Sequence, residues 1–183
     1  FAEVARRVIN WQMIIMSRWP MHWIEFEPAN TGSFEHFKHL FAYRRSQFID
    51  SPQGRFLFTG VHAASPRTGE SWVNGNHAVD LLAECSKQFL LSTDVPVVVG
   101  GDFNSTLNGH RYRTMANDSG LHSADSFLYG GITGTWPAGF PGPMRLMLDH
   151  VWGSWGVDFT SCRVLEDIGS DHRPLLVTFR LRQ

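Results

Sequence analysis

Residues 100–105 read GGDFNS, residues 148–152 read LDHVW and residues 169–175 read GSDHRPL, while His62 closes the run RFLFTGVH. Each sets an aspartate, asparagine or histidine at or near the boundary of an apolar stretch. Taken singly, these residues have ordinary structural explanations. A strand-end aspartate such as Asp102 usually forms a turn or caps a helix, Asn104 before Ser105 suits an Asx-turn, and Asp171 suits a turn before Arg173 and Pro174. A lone His62 is commonly a satisfied, half-buried ring. Those explanations do not predict the combination. Asp102, Asp149 and Asp171 with Asn104, His62 and His172 form a set able to bind a divalent cation, hold a phosphate and activate water.

Such a set works only if the chain brings its members to one rim. Apolar, β-rich runs recur at Trp11–Met16, Met21–Phe26, Phe41–Ile49, Arg55–His62, Pro96–Gly100, Met147–Trp152, Val157–Val164 and Pro174–Leu181. The stretch Asp50–Gly54 reads as a hairpin loop between two antiparallel strands. One strong helix is predicted from about Val73 to Leu91, with Ala78, Leu81, Leu82, Cys85 and Phe89 at the spacing of a single buried face. A weaker helix is predicted from about Gly109 to Asn117. Residues 129–143 (YGGITGTWPAGFPGP) are too rich in glycine and proline for regular structure and read as a long loop. Many strands with few helices suggest packed sheets covered by helices, an α/β sandwich, in one domain spanning 1–183.

Composition narrows the function. The chain has 183 residues, 43% of them hydrophobic, enough for one sizeable core, and a formal net charge of -1. That balance does not suit a protein that coats polyanions. Arginines outnumber lysines, only Lys38 and Lys87 being lysine, but they are scattered, with Arg6 and Arg7, Arg44 and Arg45, and Arg111 and Arg113 as the pairs. Cys85 and Cys162 sit far apart within apolar patterns and read as small core residues. No zinc-type spacing, membrane-length apolar run or signal peptide is visible.

In this order and spacing, GGDFNS, LDHVW and GSDHRPL resemble the C-terminal motifs of the endonuclease/exonuclease/phosphatase superfamily. MIIMSRWPM and FTGVHAAS resemble two of its strands, so the likeness runs from about Met13 through nearly the whole chain. The resemblance implies a four-layered α/β/β/α sandwich (DNase I-like) and metal-dependent phosphoester hydrolysis by an attacking water. It assigns Asp102 to orient and deprotonate that water, and Asn104 to donate its amide hydrogens to the scissile phosphate and align Asp102. His172 would stabilise charge on a non-bridging oxygen, with Asp149 accepting from its other ring nitrogen. Asp171 would be a ligand to Mg²⁺ or Mn²⁺. His62 would contact phosphate or assist the leaving group, Trp136 would line the substrate cleft, and His150 would pack.

One departure stands out. The family's opening strand with its asparagine, and the following strand with a Gln-Glu pair, have no counterpart. Glu3, Glu25, Glu27 and Glu35 do not match the family's metal-binding glutamate, so the chain reads as the family's C-terminal two-thirds. Weak metal affinity and low activity of this chain alone are the expectation. The substrate is a small or lipid phosphoester or a nucleic acid, the scattered arginines tilting toward the compact one. The alternative is an inactive remnant of the fold acting as a binding module. No protein partner is implied, a monomer is expected, and the compartment is cytoplasm or, through a missing N-terminal part, the cell envelope.

Overall fold

A computed structural model of the chain describes residues 6–22 except 11 and 12, then 46–127 and 134–182, with the backbone alone for 6–10, 126 and 127. The central element is a mixed sheet built from β3 (Met21–His22), β4 (Ser46–Ser51), β5 (Gly54–His62), β6 (Val97–Asp102), β7 (His122–Ser123) and β8 (Asp149–Gly153). Its strand order is β3-β4-β5-β6-β8-β7. Strands β4 and β5 form the antiparallel hairpin that Asp50–Gly54 announces. The pair β5 and β6 is parallel and therefore needs a crossover, which α1 (Gly69–Ser92) supplies. The second helix, α2 (His110–Asp118), follows β6 and packs against α1.

Strands β9 (Val157–Val164) and β10 (Leu175–Leu181) pair antiparallel as a second sheet. The side-chain period of two explains how one strand serves two cores. Val97 and Val99 of β6 join Leu57, Val61, Leu82, Ala83, Phe103 and Trp152 beneath the helices, whereas Val98 joins Phe56, Val157, Phe159 and Leu181 between the sheets. A run of valines buried on both faces is what a central strand requires. The fold is thus a mixed α/β sandwich of the DNase I-like kind, with helix, sheet and sheet stacked in turn among the described residues.

Several elements differ from the sequence reading. Arg6–Asn10, which precedes the first expected strand, is itself a strand, β1, pairing in register with β2 (Met13–Ser17). Its paired β-branched Val8 and Ile9 supply the propensity. The helix α1 begins at Gly69, because Thr68 caps it and Ser71 returns the capping bond. Its buried face runs through Gly75, Asn76, Val79, Leu82, Ala83, Cys85 and Ser86, and Ala78 is exposed. Leu82 and Cys85 are buried and Phe89 packs against the core as expected, and the face is wider than expected because glycine, asparagine and serine are buried where only apolar residues were counted. Residues 23–26 and 41–45 of two expected strands lie outside the described residues. So does part of the long loop, whose described portion contains a short 3-10 turn at Gly142–Met144. Both cysteines are buried and unpaired with each other. No helix among the described residues is long and apolar enough to cross a membrane.

Candidate active site

Strand register puts three of the candidate residues in one row. His62 pairs with Asp102 across the parallel β5 and β6, and Asp102 pairs with Asp149 across the antiparallel β6 and β8. All three therefore stand at the same rim of the sheet. The Gly100-Gly101 step that precedes Asp102 has a steric cause. Gly101 has φ +145°, and a methyl there would sit 2.0 Å from the Val61 carbonyl oxygen, so only glycine lets β6 come this close to β5. Beyond the strand, Asn104 adopts φ 48°, a left-handed conformation that asparagine tolerates better than most residues. Phe103 between them is fully buried against the rings of His150 and Trp152. The apolar anchor points inward while its two polar neighbours stay at the rim.

The side chains form a connected set. The Asn104 backbone N–H donates to Asp102 Oδ1 at 2.7 Å, and its side-chain amide donates to Asp102 Oδ2 at 2.8 Å and to the Ala63 carbonyl at 2.9 Å. Both facing groups are acceptors, so the amide orientation is fixed. His172 Nδ1 meets Asp149 Oδ2 at 2.7 Å, and its Nε2 stands 4.0 Å from Asp102 Oδ2. His62 Nε2 lies 4.0 Å from the same oxygen. A hollow of about 480 Å³ opens over the set, and His62, Asp102, Asn104, Trp136, Asp171 and His172 all line it. Asp149 supports His172 from behind the wall. A second, apolar hollow of about 430 Å³ between β5 and α1 shares only His62 and Ser65 with it.

Asn104 aligns Asp102 in this geometry, and its two amide hydrogens, expected to reach phosphate, have partners within the protein. They are already committed to Asp102 and to Ala63. His172, His62 and Arg67 also line the hollow and carry N–H groups.

Burial pushes the Asp102 carboxyl above the ordinary aspartate value; the Asn104 amide opposes this, the Asp149 charge adds to it, and the two histidines oppose it. For His172, burial works against the charged ring. The hydrogen bond and charge of Asp149, with the charges of Asp102 and Asp171, outweigh it and raise the ring's proton affinity. Asp102 and the His172 ring, 4.0 Å apart, are thus both shifted toward holding a proton more readily.

Ligand atoms of Asp102, Asp149 and His172 lie within 4.8 Å of one another, the spacing of a cation site. The donor chemistry fits only in part. Asn104 donates to each Asp102 oxygen, leaving each a single lone pair, and Asp149 holds His172 through Nδ1, so neither group is free to turn toward an ion. Asp171 is the better hard donor, an exposed carboxylate in the wall of the hollow with only a 3.5 Å contact from the Ser170 hydroxyl.

His150 packs, as the sequence suggested, but it does more. It is fully buried, with Nδ1 2.9 Å from Asp125 Oδ2 and Nε2 2.8 Å from the Ser105 carbonyl. The ring thereby links Asp125 to the Ser105 carbonyl and ties Ser105 to β8. Asp125 escaped the sequence reading because HSADSF has the form of an ordinary polar turn; no local signal marks it.

Residues 12–172 match the endonuclease/exonuclease/phosphatase family. No curated protein sequence matches. Among solved structures, the mannosyl-6-phosphatase of Bacteroides thetaiotaomicron is 18% identical, with a TM-score of 0.59 over 73% of this chain and 54% of its own. A protein of the same family from Beutenbergia cavernae is 17% identical, with a TM-score of 0.65 over 92% of this chain and 47% of its own. Beta toxin of Staphylococcus aureus, a variant with bound magnesium ions, is 15% identical, with a TM-score of 0.54 over 75% and 57%. These likenesses establish a shared fold. The chain spans about half the length of the solved structures it matches.

Proposed function

The chain belongs to the endonuclease/exonuclease/phosphatase family, and on that premise we propose that it carries the catalytic rim of a divalent-metal-dependent hydrolase that cleaves phosphoester bonds. The observation that supports this most is the row His62, Asp102 and Asp149, completed by Asn104 and His172 around one hollow.

In this reading Asp102 takes a proton from the attacking water. Its raised proton affinity suits a base working near neutrality, and Asn104 holds both of its oxygens in place. His172, kept protonated by Asp149, donates from Nε2 to a non-bridging phosphate oxygen as charge builds there. His62, about half exposed, meets the phosphate or the departing oxygen. Asp171 would hold Mg²⁺ or Mn²⁺, which would shield phosphate charge and lower the pKa of a bound water. Trp136, exposed at the mouth, bounds the substrate. A compact phosphoester is favoured over nucleic acid. Among the described residues lining the hollow, Arg67 is the only arginine or lysine, whereas a nucleic-acid groove must neutralise several phosphates.

The test is a panel of phosphomonoesters, phosphodiesters and supercoiled plasmid with Mg²⁺ or Mn²⁺, run on the full-length protein and on Asp102→Ala. Loss of about 10²–10⁴-fold in turnover in the variant, with unchanged circular dichroism, is expected for a general base. Equal activity in both proteins would refute the assignment. Phosphate binding without turnover in either would favour the binding-module alternative, and plasmid nicking would move the substrate to nucleic acid.

A further inference from the structure

Arg111 is the second residue of α2, in a helix whose sequence, HRYRTMAND, is largely polar. Yet its side chain is only 2% exposed. Taking a guanidinium out of water is costly unless its donors are met, and among the described residues no carboxylate pairs with it. Three contacts hold it instead. Nε donates to Asn76 Oδ1 of α1 at 2.9 Å, and Nη1 donates to the carbonyls of Ala64 at 2.9 Å and Phe103 at 2.8 Å. Nη2 is buried against Gly75 of α1, without a hydrogen-bond partner among the described residues.

The two carbonyls are informative. Ala64 lies two residues beyond His62, and Phe103 lies between Asp102 and Asn104. At the rim, Asn104 joins the same two segments through its bonds to Asp102 and Ala63. Arg111 joins them again from the core side, with one nitrogen reaching both chains. Only a planar fork can do this while also reaching Asn76. We propose that Arg111 is a positioning residue, which sets the spacing of the His62 and Asp102 segments and so the alignment of the proposed base with its phosphate.

Gly75 belongs to the same device. Alanine is ordinarily the better residue inside a helix, but a methyl at this position would lie 2.2 Å from Nη2 and 2.7 Å from Cζ of Arg111. Glycine therefore makes room for the guanidinium, and Gly75→Ala displaces it without deleting it.

The inference rests on the hydrolase reading above, so the experiment separates the two. Kinetics on a phosphodiester would be measured for the full-length protein and its Gly75→Ala, Arg111→Lys and Arg111→Ala variants, with melting curves. Gly75→Ala and Arg111→Lys are each expected to lower kcat about tenfold or more with KM within about threefold, because misaligned rather than lost groups slow the chemical step. Gly75→Ala in the Arg111→Ala background is expected to cost less than about twofold further, since its effect is then already spent. Full activity of Arg111→Lys, or independent additive losses, would overturn the proposal. If Arg111→Ala does not fold, Gly75→Ala and Arg111→Lys carry the test. If the unmodified protein hydrolyses no phosphoester, the hydrolase reading fails and positioning is read from backbone amide resonances alone. Shifts in both surviving variants concentrated at residues 63–65 and 103–105 support it, and undisturbed amides there overturn it.

Discussion

Replacing Asp149 with asparagine tests the chain of protonation that the site depends on. Asp149 does not line the hollow; it acts through the 2.7 Å bond to His172 Nδ1. A hydrogen bond between two charged groups contributes roughly 1.5–3 kcal/mol. This pair is 25% and 20% exposed, so solvent screening places it toward the lower end. Some 1.5–2 kcal/mol corresponds to a loss of about 10–30-fold in kcat, with KM nearly unchanged. The second signature is in pH. His172 titrates above an ordinary histidine in the folded protein because the hydrogen bond and charge of Asp149 overcome burial. A raised folded pKa gives stability that is complete below the unfolded value near 6.5 and is lost as pH rises through the folded one. In Asp149→Asn, burial is opposed only by Asp102 and Asp171, so the ring gives up its proton at lower pH and this fall in stability flattens. Kinetics on a chromogenic phosphodiester, histidine ring titration by NMR and melting temperatures from pH 5 to about 9 supply the three readouts. An unmoved His172 titration, or kcat within about threefold of the unmodified protein, would refute the reasoning.

The rate itself should follow a bell-shaped pH profile. Its acid limb reflects Asp102, displaced above an ordinary aspartate by burial, and its alkaline limb reflects His172, displaced above an ordinary histidine; a flat profile from pH 4 to about 9 would exclude this pair. Phe103→Ala removes a fully buried ring that packs on His150 and Trp152 and should cost about 3–5 kcal/mol in urea denaturation; a loss under about 1 kcal/mol would show that the ring does not anchor the rim. Chelator should abolish turnover and Mg²⁺ or Mn²⁺ restore it, with Asp171→Asn raising the half-saturating metal concentration about tenfold. An unchanged metal dependence in Asp171→Asn would remove that residue from the ligand set.

The parts of the fold that were legible in the sequence are those that local pattern controls. The valines before Gly100 mark a strand buried on both faces, and Asp50–Gly54 marks the hairpin between β4 and β5. The strand-end polar residues were legible as candidates because four apolar runs met the same chemical types. Their alignment was not contained in any one run. It follows from the parallel pairing of β5 with β6 and the antiparallel pairing of β6 with β8, which no single stretch specifies. The residues whose surroundings the sequence did not show are those whose partners lie far away. Arg111 was only one of the scattered arginines, because its burial depends on Gly75 and Asn76, in a different helix. Asn104 looked free to donate because the Ala63 carbonyl enters its reach only through β5.

Core and chemistry are specified by the same contacts. Val97 and Val99 are buried beneath the helices while Val98 is buried between the sheets, so a slip of β6 by one residue would turn each valine to the wrong core. The same slip would move Asp102 out of the row and break its pairing with His62 and Asp149. Gly101 belongs to the same arrangement, since a side chain there would collide with the Val61 carbonyl. The rim carboxylate is half-buried at an energetic cost that the valine core offsets. Substitutions that loosen β6 should therefore lower catalysis before they unfold the domain, because catalysis fails with a small displacement whereas hydrophobic burial tolerates one.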